Sequence, residues 1–216
     1  FMLSDSPPDR DLDWTDSGIE GAWRYVNRLW RLVTEPPFNL PAPNSSQPES
    51  FTPAANAMRR LTHKTIAAVS DDLDRFHFNR AVARIRELTN ALEAVTGQEN
   101  DEFGWVLREG LETAICLIGP MMPHITEELW QQIGHETLLV EAHWPKADNS
   151  LLIDENVTIA VQVNGKLRGT IEVAKDLSKE DAEAAALALP RVQEALQNKP
   201  ARKVIVVPNR IINVVL

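Results

Sequence analysis

The 216-residue sequence has little that would support disulfide bonds, membrane insertion or secretion. Its one cysteine, Cys116, excludes a disulfide within the chain and is typical of a reducing compartment. No run of about 18 apolar residues is present, so no membrane-spanning helix is predicted. The sequence starts at Phe1 rather than at methionine and shows no secretory leader. We therefore expect a cytoplasmic protein, and a chain taken from a longer polypeptide.

Motifs that carry catalysis are also missing. The sequence has no glycine-rich nucleotide loop, no G-x-S-x-G elbow, and neither C-x-x-C nor H-E-x-x-H. His124 and Glu128 have the spacing of a metal-ligand pair, but a helix-terminal hydrogen bond explains them more simply. Cys116 lies among apolar residues, with no basic neighbour to lower the pKa of its thiol. We expect no catalytic residue, no metal and no cofactor in this chain.

Charge is distributed unevenly along the chain, whose net charge is −9. Residues 1–150 contain 13 basic and 23 acidic residues, a net of −10, whereas residues 151–216 contain nine and eight, a net of +1. A uniformly acidic surface repels nucleic acid, but a local cationic patch still attracts phosphate. The change in charge predicts a domain boundary near residue 150.

Residues 15–148 show the three- and four-residue apolar spacing of amphipathic helices. An irregular segment is expected over 1–14, and the proline-rich stretch 36–53 predicts a long loop that is either functional or mobile. The first helix is predicted to present Ile19, Trp23, Val26, Trp30 and Val33 on one apolar face. Five helices are predicted, starting near Asp16, Pro53, Asn79, Asp101 and Pro123. Short connections after the second helix favour an antiparallel five-helix bundle.

After the helical region the periodicity changes to two, which indicates strands over much of 149–216. Asn164-Gly165 is a strong hairpin sequence. In the second strand Leu167, Gly169, Ile171 and Val173 alternate with Arg168, Thr170 and Glu172. The predicted elements are strands at 157–163 and 167–173, a helical stretch over 178–196 interrupted at Pro190, and strands at 204–207 and 211–216. The sequence thus predicts a mainly α domain followed by a small α+β domain.

Basic side chains recur at helical spacing in the first domain. Arg24, Arg28 and Arg31 share one face of the first helix and can fork onto phosphates. The alternative, a solvated face paired to Glu20 and Glu35, stays open. The other groups are Arg59, Arg60, His63 and Lys64 on the second helix, and Arg75, His77, Arg80 and Arg84 around Phe76 and Phe78. Arginine beside exposed aromatic rings suits RNA, although helix capping and core packing explain the same residues.

Cations in the second domain flank the predicted turns. Lys166 lies at the hairpin tip, and Arg168 follows two residues further along the same face of the strand. Lys199, Arg202 and Lys203 precede the third strand, and Arg210 lies at the last turn. If the sheet gathers these side chains, they form a compact basic edge that fits a phosphate; ordinary solubilisation of a hairpin is the alternative.

Six strings in this chain resemble one family in collinear order. They are 1–14 (FMLSDSPPDRDLDW), 18–33 (GIEGAWRYVNRLWRLV), 63–72 (HKTIAAVSDD), 121–130 (MMPHITEELW), 161–168 (VQVNGKLR) and 203–216 (KVIVVPNRIINVVL). Together they resemble the C-terminal part of bacterial leucyl-tRNA synthetase, a class I aminoacyl-tRNA synthetase. The fourth string alone also occurs in valine- and isoleucine-type relatives, whereas the last two point to the leucine enzyme.

The resemblance implies a domain plan and an activity. Residues 1–14 would lead in from a missing catalytic domain, 15–148 would be the anticodon-binding-type helical bundle, and 149–216 the C-terminal tRNA-binding domain on a flexible linker. The full-length enzyme would be a ligase that joins leucine to tRNA(Leu) using ATP. This chain lacks the family's H-I-G-H and K-M-S-K-S motifs and its editing domain, so we expect it to be inactive alone.

The resemblance also names partners and contacts. The partners implied are tRNA(Leu) and the catalytic and editing domains of the same polypeptide, with no membrane. The tRNA-binding residues expected are Arg24, Arg28, Arg31, His63, Lys64, Arg80, Arg84, Lys166, Arg168, Arg202, Lys203 and Arg210. One departure is Asn209-Arg210, where the family more usually has Gly-Lys; asparagine tolerates the left-handed conformation, so the turn is expected to survive.

Two alternatives to this function remain open. A protein-interaction scaffold would need an exposed apolar patch, for which Trp14, Trp105 and Trp144 are candidates. A free-standing tRNA-binding factor acting in trans is the other.

Overall fold

The chain divides into two compact units, Phe1–Leu152 and Ile153–Leu216. The computed structural model describes residues 1–95, 100–153, 156–196 and 201–215. The first unit is helical, and the second combines helices with a four-stranded sheet, so the predicted order of α followed by α+β is confirmed. Within the four described ranges, no helix has both the length and the apolar character needed to cross a membrane.

The first unit is built from helices whose starts follow capping residues and prolines. They are α1 (Met2–Asp5), α2 (Asp16–Thr34), α3 (Pro53–Asp74), α4 (Phe78–Glu93), α5 (Asp101–Ile118), α6 (Pro123–Gln132) and α7 (Asn149–Leu152), with a 3₁₀ turn at Leu139–Glu141. Thr15 Oγ1 accepts the N–H of Gly18, and Asn100 Oδ1 accepts the N–H of Phe103. The α1 turn corrects the expectation that 1–14 is wholly irregular.

Helices α2 to α6 share one apolar core. The largest side chains that are fully buried in it are Leu29, Ile85, Leu88, Leu92, Leu107, Leu111, Ile115, Leu117, Ile118 and Leu129. Helix α5 supplies five of these ten, which makes it the central helix of the core. The apolar spacing predicted for α4 is confirmed, since Ile85, Leu88 and Leu92 recur at three- and four-residue steps.

The apolar face predicted for α2 is only partly buried. The helix buries Leu29, Leu32 and Val33, whereas Trp23 is 65% exposed and Trp30 is 37% exposed. Consecutive residues of a helix are rotated by about 100°, so a seam through Leu29 and Val33 turns Trp30 away from the core. The indole of Trp23 is therefore available on the surface that carries the arginines.

The proline-rich loop between α2 and α3 is pinned to α5 rather than free. Arg108 Nε donates to the carbonyl of Pro41 at 2.5 Å, and Trp105 Nε1 donates to the carbonyl of Ser45 at 3.2 Å. The Glu102 carboxylate accepts the N–H of Thr52 at the end of the loop. Contacts at three points along its length give this loop a structural role.

The second unit packs two helices on one face of its sheet. Its elements are β1 (Asn156–Val163), β2 (Lys166–Ala174), α8 (Lys179–Leu187), α9 (Pro190–Leu196), β3 (Lys203–Val207) and β4 (Ile211–Val215). The strand order is β2-β1-β4-β3, with β1 and β4 parallel and the other pairs antiparallel. The core joins Val161, Ile212 and Val214 of the sheet to Ala186 and Val192 of the helices. Pro190 starts α9 at a position where proline is tolerated.

The predicted hairpin is confirmed, but β2 contains a bulge. Asn164 and Gly165 both have positive φ, 48° and 80°, as tight hairpin turns require. Val161 pairs with Gly169 and Gln162 pairs with Leu167, so Arg168 is an extra residue between the two pairs. The bulge interrupts the predicted alternation, because it turns Leu167 to the face opposite Gly169 and Ile171, where Leu167 is 62% exposed.

Candidate nucleic-acid interface

A cleft of about 640 Å³ lies between α2 and α4 in the first unit. Its lining is dominated by arginine, amide and aromatic side chains. The lining residues are Gly21, Trp23, Arg24, Tyr25, Asn27, Arg28 and Arg31 from α2, and Arg86 and Asn90 from α4. The cleft therefore brings the three predicted arginines of α2 together with a fourth that the sequence analysis missed.

The arginines of this cleft differ in how they are neutralised. Arg24 lies 3.7 Å from Glu20 in a highly exposed pair, and Arg28 is ion-paired with Glu93 of α4. Neither Arg31 nor Arg86 has a carboxylate within 4.0 Å in the described part of the chain. Of the two carboxylates expected to pair with these arginines, Glu20 does so with Arg24, whereas Glu35 forms no ion pair with them in the described ranges.

Arg86 is held over the ring of Tyr25, with its guanidinium carbon 4.6 Å from the ring centroid. Its Nε is solvent-inaccessible and lacks a hydrogen-bond partner among the described residues. Burial raises the pKa of Tyr25, and the positive charges of Arg86 and Arg28 oppose this rise. Residue spacing along a single helix cannot indicate a contact between α2 and α4, so the sequence did not predict that Arg86 lines the cleft.

The second predicted cluster is largely a buried network. Arg59 donates from Nε and Nη2 to Glu109 at 3.0 and 3.2 Å, and its guanidinium stacks on Phe51. His63 lies with Nε2 3.2 Å from the same carboxylate, and its Nδ1 accepts the N–H of Asp148 at 3.0 Å. Both ring nitrogens are engaged and the side chain is buried, so His63 links α3 to α5 and to the residue before α7. This structural role corrects the expectation that His63 lies at the interface. Lys64 beside it is half-buried.

The third predicted cluster surrounds a buried carboxylate, Asp72, which is 2% exposed. Arg84 Nε donates to it at 2.6 Å, and Arg80 Nε lies 3.4 Å away. These guanidiniums neutralise Asp72 first, since an unpaired buried charge is costly. Both arginine side chains stay partly exposed, and Phe76 beside them is exposed with its ring packed edge-on against Phe78.

In the second unit the sheet brings four of the five described cations of the predicted edge to one end; the sixth, Lys199, lies outside the described residues. Lys166 pairs with the last residue of β1, and Lys203 pairs with the last residue of β4. Because β1 and β4 run parallel, those residues lie at the same end of the sheet, as do Arg168 and Arg202. Arg210 precedes β4 and lies beside the middle of β1, where its carbonyl accepts the N–H of Ala160, about 16 Å from Val215 along β4 at ~3.3 Å per residue. Arg210 is therefore further from that end of the sheet than the other four cations. All five side chains are exposed.

The residues considered for catalysis or metal binding have other surroundings. Burial and, secondarily, Glu112 raise the pKa of Cys116 to about 12, which makes its thiol a poor nucleophile at neutral pH. His124 is exposed, and Glu128 accepts a hydrogen bond from Gln132. In the described ranges, no three His, Cys, Asp or Glu side chains are placed to hold a metal ion.

The tryptophans considered for a protein-binding patch are dispersed. Trp14 is exposed and stacks edge-on against Phe1, whereas Trp105 packs against Phe51. Trp144 donates from Nε1 to Ser70 Oγ at 2.8 Å. The cavity lined by Trp14 shares no residue with those lined by Trp105 and Trp144, so Trp14 is separate from the other two indoles.

Comparison with known families identifies the class. Residues 55–184 match the family described as the anticodon-binding domain of tRNA ligase, and this chain belongs to that family. The match covers more than half of the chain and extends from α3 into α8.

Relatives of high sequence identity are leucine–tRNA ligases, which confirms the resemblance seen in the sequence. The chain is 60% identical to the enzyme of Paramagnetospirillum magneticum and 58% identical to that of Rhodospirillum rubrum, each over 216 residues. These residues are all of this chain and 25% of each relative, so the chain spans about a quarter of their length.

A solved structure has the same fold. It is the ternary complex of Agrobacterium radiobacter K84 agnB2 LeuRS with tRNA and LeuAMS. The similarity has a TM-score of 0.73 at 31% sequence identity, and covers 99% of this chain and 28% of that one.

Proposed function

We propose that this chain is the tRNA-docking portion of a leucine–tRNA ligase. It holds tRNA(Leu) while catalytic and editing domains of the same polypeptide attach leucine with ATP and remove errors. The cleft of four arginines in a unit of net negative charge is the observation that carries this proposal. Family membership and the tRNA complex of a similar protein support it.

The two units have separate parts in this function. Helices α2 to α6 form a five-helix bundle of the class I anticodon-binding type over 15–148, and 149–216 form the C-terminal tRNA-binding domain. The division of the chain after Leu152 and the family match over 55–184 support this assignment.

Contacts to phosphate position the tRNA without reading its bases, since phosphate oxygens carry no sequence information. The first unit contributes the cleft arginines and the partly exposed cations of α3 and α4. The second contributes one end of its sheet. The interface comprises Arg24, Arg28, Arg31, Lys64, Arg80, Arg84 and Arg86 in the first unit and Lys166, Arg168, Arg202 and Lys203 in the second. His63 and Arg210 are left out because of their surroundings described above.

The salt dependence of binding tests this function. We expect log K for binding of a tRNA(Leu) transcript to the 216-residue chain to fall linearly with the logarithm of the salt concentration. Each neutralised phosphate should add about 0.7 to 0.9 to the slope. Filter binding at several salt concentrations measures it. A slope near zero, or tRNA binding no tighter than binding to a neutral polymer, would reject phosphate docking and leave the protein-scaffold alternative in its place.

A further inference from the structure

Glu93, the last residue of α4, occupies one edge of the Arg28 guanidinium. Its Oε2 contacts both Nε and Nη2 of Arg28. The two side chains are 44% and 42% exposed, so the pair lies at the surface and is open to solvent and to other anions. Through this contact, Glu93 places a negative charge on the cationic cleft.

A phosphate oxygen would bind the same edge of Arg28. Guanidinium presents paired N–H donors that fit carboxylate and phosphate alike, so the two anions compete for one position. Two other arginines of the cleft are less occupied by carboxylates. Arg24 has only a longer contact to Glu20, and Arg31 has no ion pair in the ranges that the structure describes.

We propose that Glu93 is a built-in competitor that sets the affinity of this cleft for RNA. This inference rests on the proposed docking function and names how the same site is regulated. In the free protein Glu93 holds the edge of Arg28. RNA must displace the carboxylate to use that arginine, so part of the attraction is lost and the bound RNA is released more readily.

A charge-neutral substitution tests the competition. We expect Glu93→Gln to bind tRNA about two- to fivefold more tightly at low salt, the range for a surface ion pair of this kind. The slope of log K against log salt should also steepen, by at most about 0.9, because Arg28 would then neutralise a phosphate without an adjacent carboxylate. If the Arg28–Glu93 pair only holds α2 against α4, Glu93→Gln should instead lower the affinity for tRNA.

Two controls separate competition from a general change in charge. Glu93→Asp keeps the charge but shortens the reach to Arg28 by one methylene, so it should give part of the gain. Glu20→Gln removes the same charge beside Arg24, where the existing pair is longer and more exposed, and should give a smaller gain.

A double mutant decides the mechanism. With Arg28→Ala in place, Glu93→Gln should lose most of its effect, because the two substitutions act on one contact. An equal gain with and without Arg28, or an unchanged affinity in folded Glu93→Gln, would overturn the inference. Failure of the docking function itself is distinguishable, since the unsubstituted chain would then show no salt-dependent binding to tRNA.

Discussion

At the scale of single residues, contacts with partners distant in sequence determine the role of a side chain. Asn209 has a φ of 57°, which confirms that asparagine supports the left-handed turn expected there. The structure adds a partner that the sequence does not indicate. Asn209 Nδ2 donates to Asp176 Oδ1 at 2.7 Å, and Asn209 Oδ1 accepts the N–H of Asp176 at 2.9 Å. Two turns of the second unit are joined by this exchange.

Replacing Asn209 by glycine separates the backbone effect from the side-chain effect. Asn209→Gly keeps access to positive φ but removes both hydrogen bonds to Asp176, so we expect a loss of about 1 to 2 kcal/mol in the free energy of unfolding. Urea denaturation measures it. Asn44 also has a positive φ, but its side chain makes no hydrogen bond to the described residues, so Asn44→Gly should change stability by no more than about 0.5 kcal/mol. Equal effects at both sites would refute the account.

At the scale of elements, sequence spacing predicts where helices and strands lie better than it predicts which side they bury. The helix starts at Pro53, Asp101 and Pro123 were predicted because prolines and capping residues act locally. The buried face of α2 was not, since Trp30 and Leu29 are both apolar and only packing against the other helices chooses between them. The bulge at Arg168 was not predicted for a similar reason, because strand register depends on the partner strand.

Truncation of neighbouring apolar residues on α2 tests the observed face. Leu29→Ala should destabilise the chain by about 2 to 5 kcal/mol, the usual cost of a cavity at a buried leucine. Trp30→Ala should cost less because its indole is partly exposed. Urea unfolding of both variants gives the comparison, and a larger loss for Trp30→Ala would restore the face predicted from the sequence.

At the scale of the whole molecule, an acidic protein carries local cationic surfaces. The excess of acidic residues before 151 was visible in the sequence, and so were Arg24, Arg28 and Arg31 on one helix. Sequence reasoning could not show that Glu109 and Asp148 engage His63, because those contacts span 46 and 85 residues. For the same reason, it could not bring Arg86 into the cleft.

The most direct test of RNA docking in the cleft removes the two arginines that have no carboxylate partner among the described residues, Arg31 and Arg86. The double variant Arg31→Ala, Arg86→Ala should bind tRNA(Leu) more weakly. Its salt slope should fall by up to about 1.8 if each side chain neutralises one phosphate. Arg75→Ala removes an exposed arginine paired to Asp71 outside the cleft and should leave the slope unchanged. A folded double variant with the affinity and slope of the unsubstituted chain would contradict the account.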